Sequence, residues 1–162
     1  MAQTSRFSAP FGAPIPALGA APRPTVLVVD DERTLAELTV SILELEGFEA
    51  RLAHSAEEAL GMVRQWLPQT VLLDIVLPRM NGVVAALRLA REFPGLRIIL
   101  ISGQADLADW LEPARAAGYD FPVLAKPVAP EELVRVLRGA VTPPAPDADR
   151  PLAGGGESGK ET

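Results

Sequence analysis

Polar residues that suit cation and phosphate chemistry follow four short apolar runs in this sequence. The runs end at the acidic pair Asp30 and Asp31, at Asp74, at Ser102 and at Lys126. Unbroken aliphatic runs of this length are typical of strands that are buried on both faces, as in parallel sheets. The carboxyl ends of parallel strands share one edge of the sheet, where α/β proteins build their sites. The sequence therefore predicts that three carboxylates, a hydroxyl and an ammonium group converge in one pocket.

The predicted pocket has the composition of an aspartyl-phosphate site. Three neighbouring carboxylates repel one another unless a cation joins them, and an oxygen-only ligand set favours Mg²⁺ over zinc. A carboxylate beside a metal ion and a lysine can attack phosphorus, because both cations stabilise the charge of the transferred group. A single aspartate at a strand end is more often a helix cap or a turn residue. The recurrence at four strand ends favours the site.

Four segments resemble the receiver domains of two-component response regulators, in the order and spacing of that family. They are residues 28–32 (VVDDE), 74–82 (DIVLPRMNG), 101–103 (ISG) and 125–127 (AKP). The resemblance covers residues 25–140. It implies an α/β fold of the doubly wound (βα)5 type, with a parallel five-stranded sheet in the flavodoxin-like order 2-1-3-4-5.

The resemblance also assigns the residues of the metal site. It implies that Asp31 binds Mg²⁺ directly and that Asp30 binds it largely through water. The phosphoacceptor Asp74 and the backbone carbonyl of Val76 would be the further ligands.

The remaining roles concern the phosphate. The resemblance implies that Ser102 donates a hydrogen bond to a phosphoryl oxygen and that Lys126 pairs with the phosphate. It also implies a cis peptide bond between Lys126 and Pro127, a minority form of X–Pro bonds. In this family the residues at Val76 and Gln104 tune how water reaches the acyl phosphate.

Helical patterns alternate with the strands. A first helix that ends at Gly47 is predicted by an apolar face with three- and four-residue spacing, formed by Leu35, Leu38, Ile42 and Leu45. Ser55 and Glu58 form a capping box at the start of a second helix, and Asn81 is placed to cap a third. The last helix is predicted over residues 131–139.

The expected fourth helix and fifth strand depart from the family. The helix, residues 106–117, contains Pro113, which kinks or shortens a helix. Pro122 indicates that the fifth strand lies at an edge of the sheet. Many receivers have an aromatic switch residue three positions before the lysine, where this chain has Val123. The surface on which many receivers form homodimers is therefore expected to differ here, and residues 121–130 look most like receivers that belong to or serve hybrid histidine kinases.

Composition limits the functional classes. The chain has 162 residues, a formal net charge of −6 and no cysteine. These values favour one domain without disulfides or thiolate metal sites and argue against direct DNA binding, which needs a basic face. No apolar stretch approaches the length of a membrane span. We expect a cytoplasmic protein, with residues 1–24 and the Pro/Gly-rich residues 141–162 disordered.

The sequence predicts a single-domain response regulator, a signalling switch rather than a turnover enzyme. A histidine kinase or a histidine phosphotransfer protein would phosphorylate Asp74, and the output would be a change of protein partner or the removal of phosphate from a shared kinase. The alternative is a receiver-fold interaction module that works without phosphorylation. A flavodoxin-like cofactor binder is disfavoured, because residues 30–32 (DDE) would repel a phosphate at the first strand–helix turn.

Overall fold

The computed structural model describes residues 21–139 as a sheet of five strands with five helices. The strands are β1 (Thr25–Val29), β2 (Glu49–Ala53), β3 (Thr70–Asp74), β4 (Arg97–Ser102) and β5 (Val123–Ala125). The helices are α1 (Arg33–Leu45), α2 (Ala56–Trp66), α3 (Gly82–Glu92), α4 (Ala108–Ala116) and α5 (Pro130–Arg138). The predictions for residues 1–20 and 140–162 lie outside this range.

All strand pairs are parallel, and the order is β2-β1-β3-β4-β5. This confirms the predicted α/β fold and its topology. All five residues of β3 are buried, as expected for a central strand covered on both faces. One core cluster packs α2, α3 and α4 on one face of the sheet, and a second packs α1 and α5 on the other. The helix layers hold the sheet so that its carboxyl edge stays open.

The predicted first helix is present as α1, but its apolar face is only partly buried. Ala36 and Leu43 are the fully buried residues of this helix, whereas Leu38 is 56% exposed and Leu45 is 88% exposed. Leu35 and Ile42 are half-buried. The side of α1 that packs toward the sheet is a neighbouring one, which includes Ala36 and Leu43.

The caps of α2 and α3 confirm the sequence signals. Ser55 Oγ accepts a hydrogen bond from the Glu58 amide at 3.1 Å, and the Glu58 carboxylate accepts one from the His54 amide at 2.8 Å. Asn81 Oδ1 accepts from the Val83 amide at 2.7 Å. These side chains satisfy amides that a helix start leaves without a partner.

The α4–β5 region is shorter than predicted. Helix α4 begins at Ala108 rather than at residue 106. The side chain of its N-cap residue Leu107 makes no hydrogen bond, and Asp106 Oδ1 accepts one from the Ala108 amide at 3.3 Å. Pro113 lies inside it, as expected. Strand β5 lies at the sheet edge, but it begins after Pro122, whose carbonyl oxygen accepts a hydrogen bond from the Leu100 amide at 2.8 Å.

Between residues 21 and 139, the structure contains no helix with the length and apolar character needed to cross a membrane.

Candidate functional site

Strand register brings the predicted site residues to one edge of the sheet. Val29 is paired with Leu73, so Asp30 and Asp74 directly follow neighbouring positions of β1 and β3. Asp74 is paired with Ile101, the residue before Ser102. The same edge continues across β4 to β5, after which Lys126 follows.

Three carboxylates meet at this edge. Asp30, Asp31 and Asp74 each place one carboxylate oxygen within 4.8 Å of the other two. Asp30 and Asp74 are buried and Asp31 is exposed, so the cluster opens to solvent on one side. Three hard oxygen donors with solvent access fit Mg²⁺, which keeps several waters and takes few protein ligands. The cluster is therefore a candidate cation site.

Lys126 joins two of these carboxylates. Its Nζ lies 2.9 Å from Asp30 Oδ2 and 2.6 Å from Asp74 Oδ2. Burial alone would lower the pKa of Lys126, but the hydrogen bonds to Asp30 and Asp74 outweigh it and raise that pKa above its ordinary value. The ammonium group is therefore charged at neutral pH.

The loop after β3 fixes the Asp74 carboxylate from the other side. The amide of Val76 donates to Asp74 Oδ1 at 2.9 Å, while Oδ2 accepts from Lys126. Asp30 is held in a similar way, since its Oδ1 accepts from the Glu32 amide at 2.8 Å. Each buried carboxylate thus has one oxygen bound by a backbone amide and the other by the lysine.

Gly82 lets α3 begin against the strand that carries Asp74. Its amide donates to the Ile75 carbonyl oxygen at 2.9 Å, and a Cβ built at this position would lie 2.0 Å from the Asp74 carbonyl oxygen. No side chain fits at such a distance. Gly82 belongs to the segment 74–82, but the close approach could not be predicted, because nothing in the local pattern shows which backbone faces the glycine.

Ser102 completes the pocket on the β4 side. It is only 1% exposed, and its Oγ accepts a hydrogen bond from the Gln104 amide at 3.0 Å, which leaves the hydroxyl proton available to a ligand. Its carbonyl oxygen accepts from the Lys126 amide at 2.8 Å. The Lys126–Pro127 peptide bond is cis, which confirms that prediction.

Comparison with known proteins gives the family. The model of the response regulator receiver domain family matches residues 26–138. The chain belongs to this family. Among solved structures, this receiver domain is similar to a CheY-like receiver domain protein from Methanospirillum hungatei JF-1, with a TM-score of 0.66 and 30% identity over 72% of this chain and 91% of that one. A receiver domain protein from Clostridium thermocellum gives a TM-score of 0.63 and 28% identity over 70% and 90% of the two chains.

Curated relatives of this receiver domain include two regulators of Mycobacterium tuberculosis. The DNA-binding response regulator MtrA is 35% identical over 72% of this chain and 50% of its own length. The probable transcriptional regulatory protein TcrX is 37% identical over 70% of this chain and 48% of its own length. The chain spans about half the length of these relatives. MtrA is named as a DNA-binding regulator, so the expected absence of direct DNA binding is not a general property of this family. The narrower likeness to hybrid-kinase receivers stays a prediction.

Proposed function

We propose that this receiver domain accepts a phosphoryl group on Asp74 from a phosphohistidine of a histidine kinase or phosphotransfer protein. The observation that carries the proposal is the Lys126 ammonium, which contacts Asp74 within a cluster of three carboxylates. This arrangement places an anionic nucleophile beside a fixed cation and a fitting metal site.

In the proposed reaction a carboxylate oxygen of Asp74 attacks phosphorus. The new P–O bond forms as the P–N bond of the phosphohistidine breaks, and the electron pair stays on the imidazole nitrogen of the donor. Asp31 would hold Mg²⁺ directly, with Asp30 through water and with Asp74 and the Val76 carbonyl as further ligands. When bound, the ion neutralises charge on the phosphoryl oxygens.

Two residues of the chain would hold the transferred group. Lys126 would exchange its hydrogen bond with Asp74 for one with a phosphoryl oxygen, and the Ser102 hydroxyl would donate to another. Hydrolysis of the acyl phosphate would be slow, and it requires water at the pocket mouth. Val76 is 45% exposed there and offers no side-chain hydrogen bond, while the exposed Gln104 carries an amide that can orient water.

The proposed output is a change in protein contacts, or the withdrawal of phosphate from a shared kinase, by a cytoplasmic regulator without its own DNA-binding step. Such a protein is a self-modifying switch rather than a turnover enzyme. A homodimer is a further proposed partner state. Because Val123 is a half-buried aliphatic residue, the signal would reach partners without the aromatic rotation that many receivers use.

Intact-mass spectrometry after incubation with acetyl phosphate tests the proposal. We expect the mass of one phosphate to be added with Mg²⁺, and no addition with EDTA or in Asp74→Asn. Asp106→Asn, at an exposed aspartate outside the site, is the matched control and should be phosphorylated normally. Addition of phosphate to Asp74→Asn at the same rate would refute the assignment.

A phosphorylation-independent interaction module is the second candidate, favoured by Val123 and by Pro113 inside α4. Mg²⁺ titration distinguishes the two. The switch requires binding that Asp31→Asn weakens at least tenfold, whereas the module predicts that neither Mg²⁺ nor phosphate binds.

A further inference from the structure

A shallow groove runs between α2 and α3, on the face of the sheet opposite α1 and α5. One part, which we call the basic half, is a cavity of about 390 Å³ lined by Leu60, Arg64, Arg88, Arg91 and Glu92. The other part, which we call the apolar half, is a cavity of about 310 Å³ whose lining includes Val63, Leu67, Phe93, Pro94 and Leu96. Glu92 lines both cavities, so the two halves are continuous.

The basic half carries uncompensated positive charge. Arg64 Nε and Nη2 donate to the two carboxylate oxygens of Glu92 at 2.6 and 2.8 Å, and this pair is neutral. Arg88 and Arg91 are exposed, and neither forms an ion pair with any residue of the described range 21–139. Two free guanidinium groups on a chain of net charge −6 mark this half as a place for an acidic segment.

The chain leaves α5 close to the apolar half. Arg97 directly follows the groove residue Leu96, and its guanidinium donates to the carbonyl oxygens of Val136 and Leu137 in the last turn of α5. Gly139, the last described residue, comes two positions after Leu137. The Arg97 contact thus places the end of α5 at the same edge of the sheet as Leu96, which lines the apolar half.

The sequence that follows has the same order of properties as the groove. Residues 141–146 (VTPPAP) are mostly apolar, Asp147 and Asp149 are acidic, and residues 141–149 include no basic residue, for a formal charge of −2. An extended chain spans at most about 3.3–3.6 Å per residue, so the eight residues from Gly139 to Asp147 reach up to roughly 26–29 Å. Arg88 precedes Glu92 by four residues of α3, which is a rise of about 6 Å along the helix axis.

We propose that the α2–α3 groove binds residues 141–149 of the same chain. The apolar residues occupy the apolar half, and Asp147 and Asp149 lie opposite Arg88 and Arg91. This interaction is independent of phosphorylation at Asp74, since none of its residues belongs to the acidic site.

Paramagnetic relaxation tests the contact directly. The chain has no cysteine, so Ala148→Cys gives a unique site for a nitroxide label. In ¹⁵N-labelled, unphosphorylated protein we expect the amide signals of Arg64, Arg88 and Arg91 to broaden selectively. The broadening should decrease severalfold in 1 M NaCl, where the Debye length is about 3 Å.

Charge reversal gives the matched controls. Arg88→Glu with Arg91→Glu should abolish the selective broadening, and adding Asp147→Arg with Asp149→Arg should restore it. Arg115→Glu with Arg135→Glu changes net charge equally at exposed positions outside the groove and should leave the broadening unchanged. Well-dispersed amide spectra show that each variant is folded.

Two results would overturn the proposal. One is weak, uniform broadening that the groove variants do not alter. The other is broadening seen only when ¹⁵N-labelled protein is mixed with spin-labelled, unlabelled protein, which would mean that the groove binds the segment of a second copy.

Discussion

The corner formed by β1, β3 and α3 is more tightly constrained than the region formed by α4 and β5. In the corner, β3 is buried along its whole length, α3 has a side-chain cap, and Gly82 brings backbone to within contact of Asp74. In the other region β5 has three residues, the side chain of the α4 N-cap residue Leu107 makes no hydrogen bond, and Pro113 interrupts the hydrogen bonding of α4. Several contacts therefore fix the backbone around Asp74, the proposed nucleophile, and fewer fix the region of α4 and β5.

The broadest expected effect is that of Gly82→Ala, because it changes both stability and phosphate acceptance. Its Cβ would lie 2.0 Å from the Asp74 carbonyl oxygen, so α3 must shift away from β3. We expect a loss of roughly 3 kcal/mol or more in unfolding free energy, at the upper end of overpacking effects, together with loss of phosphate acceptance. Urea denaturation and intact mass measure the two effects.

Gly61→Ala is the control for that change. Gly61 lies inside α2, and a Cβ there has no neighbour within 4 Å. The same substitution should stabilise the protein by about 0.5–1 kcal/mol, since alanine is the better helix former. Equal effects at the two glycines would show that the corner is no tighter than an ordinary helix.

A pair of leucine truncations compares the two regions directly. Leu89 of α3 is fully buried, whereas Leu111 of α4 keeps 8% of its surface exposed in a looser setting. We expect Leu89→Ala to cost about 3–5 kcal/mol and Leu111→Ala about 2 kcal/mol, within the usual range for such changes. Denaturant midpoints with unchanged m-values give the difference, and a larger cost at Leu111 would reverse the comparison.

Lys126→Met removes the cation that contacts Asp30 and Asp74. It should destabilise metal-free protein by roughly 1–3 kcal/mol, because two carboxylates lose a charged donor.

The raised pKa of Lys126 sets how this stabilisation depends on pH. Its stabilising contribution is complete below its ordinary pKa of 10.5 and is lost as pH rises through the higher folded value. The difference in unfolding free energy between wild type and Lys126→Met should therefore stay constant from about pH 7 to 9 and become smaller above about pH 10.5. Urea titrations in EDTA at each pH would show it, and a gap that widens at high pH would contradict the shift.

A small effect is expected for Pro113→Ala. The change restores an amide donor inside α4, but it also gives the unfolded chain more freedom, so we expect a net stabilisation of only about 1 kcal/mol. Thermal denaturation measures it. Destabilisation would mean that the proline ring packs more usefully than its lost hydrogen bond suggests.

The parts that the sequence predicts well are those governed by one local rule. Strand positions follow from buried aliphatic runs, and the caps at Ser55 and Asn81 follow from side chains that bond nearby amides. The sequence does not predict which side of α1 is buried, because periodicity identifies an apolar stripe without showing whether the sheet or solvent meets it. The bonds from Lys126 to both Asp30 and Asp74 join residues 96 and 52 positions apart, and only the packed sheet determines them.

Lys126 also makes the sheet edge sensitive to events at its centre. The lysine follows edge strand β5, yet its side chain reaches across the ends of β4 and β3 to the aspartate after β1. A change of charge on either carboxylate changes what holds the end of β5. The rate of amide hydrogen exchange at Leu124 of β5 should therefore change with the charge of the pocket, and it can be measured without a partner protein.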